Sequence, residues 1–350
     1  MPSLPMLYLP DTMKDWPWPR KINPYEDEVK APSMEWLRFF KAFNPKSQVA
    51  FERGDFVHAA ALICPWGNKE QLRPFCDLMN LFFVIDHYTD FEDASDCREF
   101  TDVMMDALEN PHKPRPKGEV VLGEITRQFW ELTIQTIDIL SQRRFIECFR
   151  AYLTAVVEEA ADREDKMILS FDKYLSKRRD TSGPRPIIAL LALDLPDEVF
   201  NHPLMGQMSD CATDLVLLDN DLLSYNKERA TDGALHNIVT VTMHEFGIDI
   251  EAAIMHVAQY HKEVQDKFMK CVELLPSWDH ELDMQVHDYI DRLATLPRGI
   301  YEWHFENGRY FGNRAHEAHK TRMVQMLPDF HLDTDLRREK IIIPLTDGVA

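Results

Sequence analysis

Between residues 34 and 306 the apolar side chains return at three- and four-residue intervals in one segment after another, a spacing that puts them on one face of a helix. The periodic segments run from Met34 to Phe43, Asp55 to Cys64, Lys69 to Phe91, Phe100 to Leu108, Glu119 to Leu140 and Arg144 to Ala161. They continue from Ser170 to Arg179, Pro186 to Leu193, Leu204 to Tyr225, Ile250 to Leu275 and His280 to Glu306. Such a pattern predicts an all-α fold, a bundle of roughly ten or more helices. With only 12 glycines in 350 residues, the chain has little material for the many tight turns of a large sheet. Turn-rich stretches fall at 110–116, 181–186, 230–233 and beyond Gln325. No internal repeat and no long polar linker divides the chain. The expectation is one domain over residues 1–350, with a proline-rich extended arm over 1–33, anchored by Trp16 and Trp18, and a tail over 326–350.

Charge narrows the function. A net charge of -20 repels phosphate backbones and anionic lipid, which argues against nucleic-acid partners. If the substrate is itself an anion, the site must gather cations locally, from a few Lys and Arg or from bound metal. The apolar run from Ile187 to Leu195 is far short of the roughly 20 residues of a membrane span. The N-terminus is broken by prolines and an early aspartate, unlike a signal peptide, so a cytoplasmic protein is expected. Six scattered cysteines without a C-x-x-C pair read as reduced, packed thiols.

Two constellations can carry chemistry. In LFFVIDHYTDFED, Asp86 and Asp90 lie four apart at the end of a strongly apolar helix, on one face with Phe82. Magnesium favours such oxygen ligands, commonly one or two carboxylates completed by substrate phosphates. Among 59 acidic residues such pairs also arise by chance, as solvated helix faces. In LVLLDNDLLSYNKE, Asn220, Ser224 and Glu228 make an amide, a hydroxyl and a carboxylate on one helical stripe. Three different oxygen donors are harder to obtain by chance than two acids. Lys227 stands beside them as a charge able to reach phosphate. Two basic sites follow: Lys177, Arg178 and Arg179 just before the break at Gly183 and Pro184, and Arg309 with Tyr310 after Trp303 and Phe305. Read alone, these are helix-terminal cations and core aromatics.

Together these residues resemble the class I terpene synthases. Asp86 to Asp90 is similar to the family's aspartate-rich motif, Asn220, Ser224 and Glu228 match its N-D-x-x-S-x-x-x-E motif, and Arg309 with Tyr310 resembles its terminal R-Y pair. The stretches LPDTMKDWPWPRKINP, KSQVAFERGDF and LRPFCDLMNLFFVID extend the resemblance over nearly the whole chain, to basidiomycete fungal sesquiterpene synthases and, within them, the Δ6-protoilludene synthase-like group. One departure is His87, where the family usually carries an acid or amide.

The resemblance implies an α-bundle around a central active-site cavity, three Mg2+ ions held by Asp86, Asp90, Asn220, Ser224 and Glu228, and farnesyl diphosphate as substrate with inorganic diphosphate released. Arg179, Lys227, Arg309 and Tyr310 would donate to the leaving group. Arg178 competes with Arg179, which is preferred because it sets Ser182 and Gly183 at the family's linker and helix-break positions. Phe82, Phe83, Gly183, Trp303 and Phe305 would line the cavity, and the family's frequent pairing admits a homodimer. Cyclisation through a humulyl cation to Δ6-protoilludene is the leading expectation, with a 1,10-closure alcohol such as viridiflorol as an alternative. Three rivals are a chain-elongating prenyltransferase, which would need a second aspartate-rich motif, a metal-dependent phosphohydrolase using His287 and Asp288, and a non-catalytic helical binding protein.

Overall fold

The computed structural model describes residues 5–90, 92–162, 168–193, 195–230, 236–328 and 343–346, with Asp162 described for its backbone alone. In chain order the elements are β1 (Met6–Tyr8), α1 (Glu26–Phe39), α2 (Pro45–Glu52), α3 (Phe56–Ile63), α4 (Lys69–Thr89), α5 (Ala94–Glu109), α6 (Leu122–Thr133) and α7 (Ile139–Asp162). They continue with α8 (Phe171–Thr181), α9 (Pro184–Leu191), α10 (Asp197–Phe200), α11 (Pro203–Ala230), α12 (Ile238–Phe246), α13 (Ile250–Leu274), α14 (His280–Glu306), α15 (Ala315–Thr321) and β2 (Met323–Gln325). The all-α expectation holds. The sole sheet among the described residues is the antiparallel pair β1–β2, in which Leu7 faces Val324.

Packing closes the helices into a ring. Helix α14 lies on α3, α3 on α4, α4 on α6, α6 on α5, α5 on α7, and α7 on α8 and α9, which return to α11 and α14. One continuous apolar core runs from Leu7 to Val324. At roughly 25 cal/mol per Å2 of apolar surface withdrawn from water, this burial is the main force holding the ring together.

Several boundaries differ from the periodicity. Helix α1 begins at Glu26 rather than Met34 and carries Pro32 inside it. Glu26, Asp27 and Glu28 favour the positive end of the helix dipole, and Val29, Ser33 and Leu37, spaced by four, are buried. Pro32 removes only the bond to the exposed Glu28 carbonyl. The expected helix from Glu119 to Leu140 is two: α6 ends in a β-branched stretch, and Asp138 caps α7 by accepting from the Leu140 and Ser141 amides at 2.8 and 3.0 Å. Helices α2 and α12, absent from the periodic segments, are capped by Asn44 and Asn237, whose side chains accept from the Ser47 and Val239 amides. Phe91, the turn stretch at 231–233 and most of the tail lie outside the described residues.

The arm between β1 and α1 is laid across the outside of the ring. Trp16 donates to the Ala294 carbonyl at 2.9 Å, Trp16 and Trp18 both stand edge-on to Phe268, and Arg298 donates to the carbonyls of Met13 and Trp18 at 2.6 and 2.9 Å. Among the described residues all six cysteines are free, and no helix is long and apolar enough to cross a membrane.

Candidate active site

Helix α4 delivers the first pair of acids. Asn68 and Gln71 form a capping box at its start, and its apolar face is buried as far as Tyr88 and Thr89. Asp86 and Asp90 nevertheless stay exposed at its end. Two carboxylates at the negative end of a helix dipole cost about 0.3–1 kcal/mol each, a cost a bound cation would reverse. His87 turns aside: its ring lies 5.0 Å from that of Phe43, and burial lowers its pKa, so it adds no positive charge to the pair.

Helix α11 delivers the second set from inside the bundle. Asn220 is half-buried and Ser224 buried. Glu228 Oε2 accepts from Asn237 Nδ2 at 3.0 Å, and burial, followed by repulsion from Asp221, raises its pKa. Asp221 is itself buried, accepting from the Tyr174 hydroxyl at 2.5 Å and the Ile238 amide at 2.9 Å. Ser224 Oγ neighbours the Glu228 carboxylate yet makes no hydrogen bond of normal geometry. The Asn220 amide spans two helices: Arg178 Nη2 donates to Oδ1 at 3.2 Å, and Nδ2 lies 3.2 Å from His304 Nε2. Full burial lowers the His304 pKa to about 4, so its imidazole is neutral.

Cations lie between the two sets. Lys227 lies within electrostatic reach of Arg309, Glu228, Asp86 and Asp90, with its Nζ 5.7 Å from the Tyr310 ring; burial and then Arg309 bring its pKa down to about 8. Tyr310 feels Arg309, Glu228 and Asp86. The two neighbouring arginines of α8 diverge, as adjacent residues on a helix must. Arg178 reaches Asn220 and Asp221, whereas Arg179 holds the buried Asp214, six residues earlier on α11, through two bonds of 2.6 and 2.7 Å. The arginine preferred from the resemblance is therefore not the one that meets the Asn220 stripe.

The expected cavity residues divide in the same way. Phe82 stands edge-on to Tyr152 at 5.2 Å and faces Gly183, where φ is +82° and an added Cβ would come within 3.5 Å of the ring. Phe83 stacks on Phe56 at 3.6 Å and carries the Arg309 guanidinium at 5.1 Å. Trp303 is spent on structure: its N–H donates to the Gly54 carbonyl at 2.7 Å and its ring backs Phe56, Phe83 and Tyr310. Phe305 is turned away, stacked on Phe311 at 5.1 Å and over Arg322, because two residues along a helix is about 200° around it. The sequence analysis did not single out Tyr152, Phe56, Asp221 or His304; Tyr152 lies within the periodic segment from Arg144 to Ala161. His287 and Asp288 lie in an open surface depression of about 350 Å3 with His280, Asp283 and Met284, far along α14 from this site.

Ser224 Oγ, Arg178 Nε and Arg309 Nε, on residues described above, are buried atoms without a hydrogen bond of normal geometry. Unmade hydrogen bonds cost about 1–3 kcal/mol each, a cost that a polar ligand would remove. Among the described residues no three His, Cys, Asp or Glu side chains form a ready metal centre. Oxygen donors on two facing helices, with an anion to complete them, still suit a hard divalent cation.

A helical bundle with two carboxylates on α4 and an amide, a hydroxyl and a carboxylate on α11, all near Arg178, Lys227 and Arg309, matches the class I terpene cyclase arrangement. Among solved structures an α-eudesmol synthase superposes with a TM-score of 0.76 over 83% of this chain and 98% of its own, at 20% identity, a likeness of fold. The family model "Terpene synthase family 2, C-terminal metal binding" matches residues 77–267. Two relatives from Postia placenta match almost end to end: Delta(6)-protoilludene synthase 18, 51% identical over 98% of this chain and 99% of its own length, and Sesquiterpene synthase 14, 49% identical over 98% of each. The chain belongs to the terpene synthase family, lyases that act on prenyl diphosphates and use divalent metal.

Proposed function

We propose that the chain is a sesquiterpene cyclase that ionises farnesyl diphosphate with Mg2+ and closes the freed C15 cation to Δ6-protoilludene, releasing inorganic diphosphate. The observation that carries this reading is that Lys227 on α11 lies within electrostatic reach of Asp86 and Asp90 on α4 as well as of its neighbour Glu228. The names of the relatives support the substrate class and the product.

Asp86 and Asp90 would hold Mg2+ on one side and Asn220, Ser224 and Glu228 on the other, three ions in all. Bound Mg2+ supplies charge that stabilises the departing diphosphate. Arg178, Lys227, Arg309 and Tyr310 donate to the oxygens on which negative charge grows, already oriented in a site shielded from water. The unpartnered Nε atoms of Arg178 and Arg309 favour Arg178, rather than Arg179, in this role. Phe82 and Tyr152 would offer ring faces to the cation, each worth about 0.5–2 kcal/mol, while Phe83, stacked on Phe56, would hold the Arg309 guanidinium beside the diphosphate. Trp303 stiffens the wall behind them. The released diphosphate takes the final proton, so no side-chain base is required.

Incubation of the purified protein with farnesyl diphosphate and Mg2+, followed by mass spectrometry of the extracted volatiles, tests the reading. Δ6-Protoilludene, lost on chelation, is the expected product. Alcohols or cadinanes from 1,10-closure alone would overturn the product, and the absence of any cyclic C15 product would overturn the activity.

A further inference from the structure

A side-chain amide can be turned over with almost no change of shape, so an asparagine that must present oxygen needs a neighbour to choose its face. Asn220 has such a neighbour on α14. His304 Nδ1 lies 2.7 Å from the Ile300 carbonyl, which can only accept, so Nδ1 carries the hydrogen. Nε2 is then a bare acceptor, and the group facing it at 3.2 Å must be the Asn220 Nδ2 amine. On the far side Arg178, which can only donate, meets Oδ1 at 3.2 Å. Both ends therefore require the same orientation. His304 has no solvent exposure, and its ring is wedged 5.1 Å from Trp303 and 4.5 Å from Tyr310.

We infer that His304 is a positioning residue, which turns the Asn220 amide oxygen into the site so that it can serve as a metal ligand. The inference rests on the reading of Asn220 as a ligand given above. Partners that orient a ligand typically matter 10–100-fold in metal affinity. A carboxylate, with two equivalent oxygens, would need no such partner.

The test is a titration of the full chain with Mn2+, read by electron paramagnetic resonance, in the presence of inorganic diphosphate. His304→Phe keeps a ring but no acceptor and should weaken diphosphate-dependent Mn2+ binding about tenfold or more. His304→Gln, whose amide can accept near the Nε2 position, should restore most of it, and the thermal midpoints of the two metal-free variants should agree. In an Asn220→Asp background the same His304→Phe change should cost little further affinity. Unchanged binding by His304→Phe overturns the inference, whereas a wild-type protein with no diphosphate-dependent Mn2+ binding overturns the ligand reading itself. If His304→Phe does not fold, nitrogen NMR of the wild-type histidines decides: hydrogen on Nδ1 is expected, and hydrogen on Nε2 overturns the proposal.

Discussion

The two acid sets of the site are built in opposite ways. Asp86 and Asp90 stand exposed at the unfavourable end of a helix dipole. Asn220, Ser224 and Glu228 are sunk among partners supplied by α8, α14 and the segment before α12: Arg178, His304 and Asn237. Asn220 and Glu228 of the inner set already have hydrogen-bond partners without a ligand, whereas the exposed pair would have its dipole cost offset by the cation that the proposed function assigns to it. Electrostatic preorganisation is worth most where water is excluded, so one wall can be rigid while the other admits substrate.

Removing donors from either wall breaks the comparison most severely. Asn220→Ala combined with Ser224→Ala should abolish turnover while the protein still unfolds cooperatively; turnover near the wild-type rate would remove α11 from the metal site. Asp86→Asn should lower kcat on the order of 10^3-fold. Because it deletes a charge from the wrong end of α4, it should leave the metal-free thermal midpoint unchanged or slightly raised. Wild-type protein at about 100 times Kd of Mg2+ with diphosphate should gain roughly 2.7 kcal/mol, and Asp86→Asn should forfeit that gain.

The arginines of α8 give a smaller and sharper contrast. Arg178→Lys keeps the charge but loses the fork and should cost about 10^2-fold in kcat. Arg179→Lys should instead lower the thermal midpoint by a few degrees through Asp214, with kcat changed only a few-fold. Equal kinetic losses in the two variants would contradict the divergence of their side chains.

The smallest effect concerns the frame behind the buried wall. His58 on α3 bridges Glu26 of α1 and Glu306 at the end of α14, both at 2.7 Å. Burial opposes its charge, but the two carboxylates prevail and raise its pKa to about 9; Glu306, resisted by burial but paired with Arg20 and His58, falls to about 2. A raised folded-state pKa stabilises below the ordinary histidine value of about 6.5, and the contribution is lost as pH climbs through 9. The stability difference between the metal-free wild type and His58→Gln should therefore shrink by on the order of 2 kcal/mol from pH 6.5 to pH 9.5, a comparison in which Lys227, whose lowered pKa moves stability the other way, cancels.

What could be read directly from the sequence was whatever repeats along one element. Three- to four-residue periodicity belongs to a single helix, so α3, α4, α13 and α14 were foreseen nearly to their ends, as was the stripe of Asn220, Ser224 and Glu228. Boundaries set by capping or by packing were missed: Pro32 inside α1, and the division of residues 119–140. Orientation was missed for the same reason. Whether Arg178 or Arg179 enters the site, whether Phe305 lines it, and what turns the Asn220 amide all depend on the rotation of one helix against its neighbours. The sequence by itself determined the fold class and which side chains have the chemistry for a hard cation or an anion, because both follow from residue type and local spacing. Only the tertiary structure decided which of those side chains face each other, because that depends on how whole helices turn to bury their apolar faces together.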